Sequence, residues 1–189
     1  MKESRWNTPE VGIVYWLMWA VVVVTFVVGR ASAIDLPQDA RVPNRGPMCC
    51  WSSLETLART HGIEQLYGLR DDRYAQRPNE PAYDSVVKAE LDRRQVDYRL
   101  TKHFSYDRSL LKQYADSHGV VVAFKAGAGW SSRCHAVVVT HYDDDDVKFY
   151  CSDRRTKNGT PHVWTASRAW FDRAWMGGSV VLLRPGEAL

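Results

Sequence analysis

Cysteine is scarce in this chain. Four stand in 189 residues, at Cys49, Cys50, Cys134 and Cys151. None forms a Cys-x-x-Cys pair, so the usual zinc ligand spacing is missing, and four are too few for a disulfide scaffold. Charge of one sign is scarce as well. Twenty-five basic residues face 22 acidic ones, for a formal net charge of +3. After the N-terminal segment the adjacent basic pairs are Arg93-Arg94 and Arg154-Arg155 alone. Basic residues scattered in this way form a solvated face rather than a nucleic-acid footprint. Internal repeats and low-complexity tracts are also absent, which excludes solenoid and linker-like readings.

Long apolar runs are limited to residues 11–29, which are 19 residues without a charge between Glu10 and Arg30. As a helix this run would be about 28 Å long, close to the hydrocarbon thickness of a bilayer. Two readings compete. Lys2 and Arg5 can head a signal peptide that ends at the Ala-x-Ala site Ala31-Ser32-Ala33, but the run is longer than the apolar region of most signal peptides. The anchor is the reading taken, with cleavage as the alternative. Residues 1–33 are thus a signal-anchor or signal peptide, and residues 34–189 one domain on the exported, periplasmic or extracellular side of a membrane. A domain of that length buries a sizeable core. Eight Trp and nine Tyr suit such a core or a lined groove.

Along the body, residues 34–46 hold two prolines and read as an extended linker. Pro47 then opens a segment of helical period. Trp51, Leu54, Leu57 and Ala58 recur at spacings of three and four, and Gly62 is the stop. A charged, irregular stretch runs to Pro81. Tyr83, Val86, Val87 and Leu91 mark a second helix, and residues 96–101 a short strand. Leu110, Leu111 and Tyr114 mark a third helix, ended by Gly119. Residues 120–124, 135–142 and 147–151 follow as strands, with a flexible turn at 126–129 and a polar turn at 143–146. A loop with Asn158-Gly159 leads to a last helix carrying Trp170, Phe171 and Trp175, capped by Thr165 or Ser167, and residues 179–183 close as a strand. Helices first and antiparallel strands later make an α+β domain.

Cys50 falls in the first turn of the helix that begins near Pro47. Free N–H groups and the helix dipole favour a thiolate there and lower the thiol pKa. A nucleophilic cysteine needs a base, and the base an orienting acceptor. His135 opens an apolar strand. His141, on the same strand face, would lie about 20 Å away and cannot share its site. The hairpin returns Asp153 beside His135 as the acidic residue able to accept from its ring. A metal set of Cys134, His135, His141 and Cys151 is rejected, because strand alternation puts Cys134 and His135 on opposite faces. The aspartates at 143–146 lack the spacing of a calcium loop. No cofactor and no metal is expected.

Cys50-Trp51 at a helix start, a distant His-Ala-Val-Val-Val strand and a hairpin to a polar residue resemble the papain-like cysteine peptidases. The spacing and the Trp-rich closing segment resemble most the bacterial C39-type branch, whose members process leader peptides. The resemblance covers roughly residues 40–185. It implies a papain-like fold with the nucleophile helix packed on a small antiparallel sheet. It also implies a peptide or protein substrate and a thiol hydrolase working through a Cys50 acyl-enzyme. His135 is then the base and Asp153 the orienter, and Asn44, six residues before Cys50, lies where the family carries a glutamine that donates to the oxyanion. There are two departures. The family's orienting residue follows the histidine by about 16 residues, where this chain has Cys151. The doubled Cys49-Cys50 also leaves Cys49 as an alternative nucleophile. The runner-up function is a catalytically inert papain-like binding module in an exported or membrane-anchored protein.

Overall fold

The computed structural model describes residues 33–125, 134–155 and 161–187. The apolar run at 11–29, the turn at 126–129 and the Asn158-Gly159 loop lie outside the described residues. Among those described, no helix is long and apolar enough to cross a membrane.

Helix α1 (Cys49–His61) is the central element. Gly62 ends it in the left-handed region at φ 71°, donating its N–H to Ala58 O, as glycine does at a helix C-terminus. Its buried face carries Trp51, Leu54, Leu57 and Ala58, all at most 1% exposed. Ser52, Ser53, Glu55 and Thr56 are buried as well, so α1 is covered nearly all round, and its polar groups find internal partners. Thr56 Oγ1 donates to Ser52 O at 2.8 Å and accepts from Val42 N at 3.0 Å. The Glu55 carboxylate accepts from Gly68 N at 3.1 Å, Arg70 N at 2.9 Å and Arg59 Nη2 at 2.7 Å.

That carboxylate starts a helix not expected from sequence. After a 3-10 turn at Glu64–Leu66, helix α2 (Leu69–Gln76) occupies part of the stretch read as irregular. Its first-turn N–H groups lack acceptors of their own, and Glu55 supplies one from a distant element. Helix α3 (Asp84–Arg93) follows. Arg73 of α2 is buried, over the Trp51 ring at 4.8 Å, and pairs with Glu80 and with Glu90 of α3. Arg94 joins the network through Glu90 at 2.7 Å and Asp72 at 2.8 Å. Buried charge is tolerated here because each member is paired.

Strand β1 (Tyr98–His103) and helix α4 (Arg108–Tyr114) precede β2 (Val120–Lys125), β3 (Cys134–Tyr142), β4 (Asp146–Arg155) and β5 (Pro161–Ser167). Helix α5 (Arg168–Ala174) and strand β6 (Trp175–Leu182) close the chain. The six strands form one sheet in the order β1-β6-β2-β3-β4-β5, with every pairing antiparallel. Strand β5 stands where the sequence pattern predicts no strand. It is an edge strand that opens on Pro161, a place where a missing N–H costs no ladder bond. Ser167 caps α5, its Oγ accepting from Trp170 N, and Trp175 belongs to β6 rather than to the helix.

Both faces of the sheet are buried, which explains the unbroken apolar run of β3. Ala136 and Val138 pack with the α1 core, and Val137 and Val139 with Phe124, Phe149 and Phe171 on the other side. At Gly119 (φ 70°) a Cβ would come within 2.7 Å of Leu57 and 3.2 Å of Val138, so the chain enters β2 where only glycine fits. The segment read as a linker is instead a strap across the domain. Ile34 N donates to Thr140 O and Asn44 N to Ser152 O. Tyr150 Oη donates to Val42 O at 3.1 Å, and Leu36, Ala40 and Val42 are buried. Its three apolar side chains dock it despite the prolines.

Candidate active site

The first turn of α1 meets the start of β3. Ser53 Oγ donates to Ala136 O at 3.5 Å, and Ala136 N donates to Cys49 Sγ at 3.4 Å. The helix N-terminus therefore faces the strand that carries His135, as expected. The expected sulfur is a different matter. Of the two sulfurs it is that of Cys49 that interacts with the His135 imidazole and helps to raise its pKa. Consecutive helical residues point about 100° apart, so the phase of α1 brings one of the two sulfurs to the ring. Burial pushes the Cys50 thiol up, and the fields of Cys49, Cys134 and Asp84 push it further. Such a thiol stays protonated at neutral pH and is a poor nucleophile. Cys49 and Cys50 are both half-buried.

His135 is 1% exposed. Its Nδ1 lies 3.0 Å from Asp153 Oδ2, and its Nε2 lies 3.1 Å from Cys151 Sγ. Burial alone would depress the imidazole pKa. The bonds with Asp153, Cys151 and Cys49 outweigh it and push the pKa up to about 11, so the ring is an imidazolium at neutral pH. Asp153 is held in turn by Asn44, whose Nδ2 donates to Asp153 Oδ1 and, at 2.7 Å, to Gly46 O. Asn44 comes to this place on the strap, stapled by its own N–H to Ser152 O at 3.2 Å. Its amide hydrogens are thus engaged by a carboxylate and a carbonyl. The donors left for an oxyanion are the first-turn N–H groups of α1, which have no acceptor within the helix.

The structure gathers Asn44, His135 and Asp153 around Cys49. It adds Cys151, which the sequence marks by its position 16 residues after the histidine. His141 is engaged elsewhere, with Nδ1 2.8 Å from Asp116 and Nε2 3.0 Å from Asp143. The aspartate run is a turn closed on itself, since Asp143 Oδ1 accepts from Asp145 N and Asp146 N, each at 2.8 Å.

A helix whose first turn abuts an antiparallel sheet, with cysteine, histidine and aspartate side chains meeting there, is the arrangement expected of a papain-like fold. The chain is similar to a double glycine motif protease from an AMS/PCAT transporter, whose structure is a complex with the leader peptide. The identity is 13% and the TM-score 0.54, over 80% of this chain and 93% of that one. It is also similar to the peptidase domain of Streptococcus ComA, a bi-functional ABC transporter involved in quorum sensing. There the identity is 17% and the TM-score 0.54, over 76% of this chain and 96% of that one. No family model and no curated protein matches the sequence. At such identities the likeness establishes the fold.

Proposed function

We propose that the domain is a thiol peptidase with Cys49 as its nucleophile. The observation that carries this reading is the contact of Cys49, at the N-terminus of α1, with an imidazole that also pairs with Asp153. The Cys49 thiolate attacks the peptide carbonyl, and the first-turn N–H groups of α1 receive the developing oxyanion. His135 gives its proton to the leaving amine, then takes one from the water that hydrolyses the acyl-enzyme. Asp153 supports the imidazolium charge, and Asn44 holds Asp153. The likeness to a double glycine motif protease supports a peptide carrying that motif as the substrate. The apolar run at 11–29 supports an exported domain held at a membrane, or one released from it by cleavage.

A thiol-reactive, peptide-like affinity probe tests the assignment, with the modified residue located by mass spectrometry. Labelling is expected on Cys49, lost in Cys49→Ala and largely kept in Cys50→Ala. Loss of labelling in Cys50→Ala alone would restore the other sulfur. No labelling of either would leave the inert binding module as the function.

A further inference from the structure

The turn between β3 and β4 carries a second cluster of titratable side chains, which the candidate active site does not use. We propose that His141, Asp143 and Asp146 bind a divalent transition-metal ion, zinc by the chemistry of the donors. The proposal is independent of the peptidase reading.

His141 stands near the end of β3, Asp143 in the turn and Asp146 at the start of β4. One ligand atom from each lies within 4.8 Å of the other two. His141 Nε2 is 3.0 Å from Asp143 Oδ2 and 3.7 Å from Asp146 Oδ1. Around a tetrahedral zinc ion with bonds of about 2.0–2.2 Å, neighbouring ligand atoms stand about 3.3–3.6 Å apart. Small side-chain shifts therefore close the cluster on one ion. One imidazole and two carboxylates suit zinc, and three protein ligands leave a fourth position for water.

Two observations favour a metal ion over a hydrogen on Nε2. The first is an orphaned oxygen: Asp146 Oδ1 is buried and has no hydrogen-bond partner. A hydrogen on Nε2 serves the nearer acceptor, Asp143 Oδ2, and leaves Asp146 Oδ1 unmatched, whereas a metal ion in the same place binds both. The second is charge. Asp116 Oδ1 lies 2.8 Å from His141 Nδ1, so three carboxylates meet one imidazole. Among the described residues, no lysine or arginine pairs with any of the three; Lys112 goes to Asp144, and Arg168 to Asp144 and Asp172. A divalent cation offsets that excess. The surroundings also set the ligands in advance. With Nδ1–H held by Asp116, the Nε2 lone pair is turned on the ion, the carboxylate–histidine–metal arrangement. Asp143 Oδ1 accepts from Asp145 N and Asp146 N at 2.8 Å each, which leaves its Oδ2 for the ion. Binding ties the end of β3 to the start of β4 and, through Asp116, to the segment after α4.

The test titrates zinc chloride into the intact protein carrying nitrogen-15-labelled histidine, read by two-bond proton–nitrogen correlation and by thermal unfolding. Zinc should shift the His141 ring signals, with the hydrogen kept on Nδ1 and none on Nε2. Reading the site at His141 separates it from any zinc held by the thiols. Asp116→Asn should weaken binding there about 10–100-fold, the range typical of lost support behind a ligand. Asp146→Asn keeps the shape and removes a ligand, so it should weaken binding further. Asp144→Asn, beside the site but outside it, should leave binding unchanged. At a hundredfold excess over Kd, zinc should raise the wild-type Tm by about 5–10 °C, and by less in Asp146→Asn. His141 signals that do not move with zinc would overturn the proposal and leave the cluster an imidazolium held by its carboxylates. Equal zinc affinity at His141 in the wild type and Asp146→Asn would overturn it as well.

Discussion

Asp153→Asn removes one charge from the site and almost nothing else. The amide keeps the shape of the carboxylate, so the contact 3.0 Å from His135 Nδ1 changes in charge rather than in packing. His135 is raised to about 11 against burial, and Asp153 heads the interactions that raise it. An opposite charge in contact moves a titrating group by about 1–3 pH units. Asp153 is one-third exposed, so water screens the pair and the low end applies, about one unit or 1.4 kcal/mol. Because the folded pKa lies above the ordinary histidine value, the stability that His135 contributes is complete below about pH 6.5. It declines as pH rises and is gone once pH passes the folded pKa. The variant should therefore be less stable than the wild type by about 1.4 kcal/mol up to about pH 9, with the gap closing as pH rises through about 10 and past about 11. Urea titrations at a series of pH values give the stability, and the His135 ring resonances give its midpoint directly. A His135 midpoint that does not move in Asp153→Asn would show that the ring owes its charge to the sulfurs, and the carboxylate would lose its role in the mechanism.

Glu55→Ala should cost about 2–4 kcal/mol in urea denaturation, since it strips a buried acceptor from Gly68 N, Arg70 N and Arg59 at once. A loss below about 0.5 kcal/mol, the scale of a neutral surface change, would mean that α2 starts without that carboxylate. Mass-spectrometric sequencing of the native protein should find residues 1–33 in place if the run at 11–29 is an anchor, and a chain beginning at Ile34 would show cleavage instead.

What could be read directly was what local spacing decides. The period of Trp51, Leu54, Leu57 and Ala58 with Gly62 behind it gives α1, and the β3–β4 hairpin follows from apolar strands flanking a polar turn. His135 and Asp153 follow from that hairpin, because antiparallel pairing across a short turn leaves little choice of which strand ends meet. The α+β class and the papain-like likeness rest on the same local facts. Tertiary structure decided the rest. The choice between Cys49 and Cys50 depends on the rotation of α1 about its axis. That rotation is set by which residues pack on Ala136, Val138 and Tyr150 far along the chain. Helix α2 is held at its start by a carboxylate from α1. Residues 34–46 are docked by three apolar side chains and a handful of main-chain bonds, not by any period of their own. Asn44 binds Asp153 across 109 residues, and Cys151 reaches Nε2 only once β4 lies in register against β3. Sequence spacing fixes periods and turns, which are properties of neighbours. The phase of one element against another comes from packing between distant segments, and the site's chemistry turns on that phase.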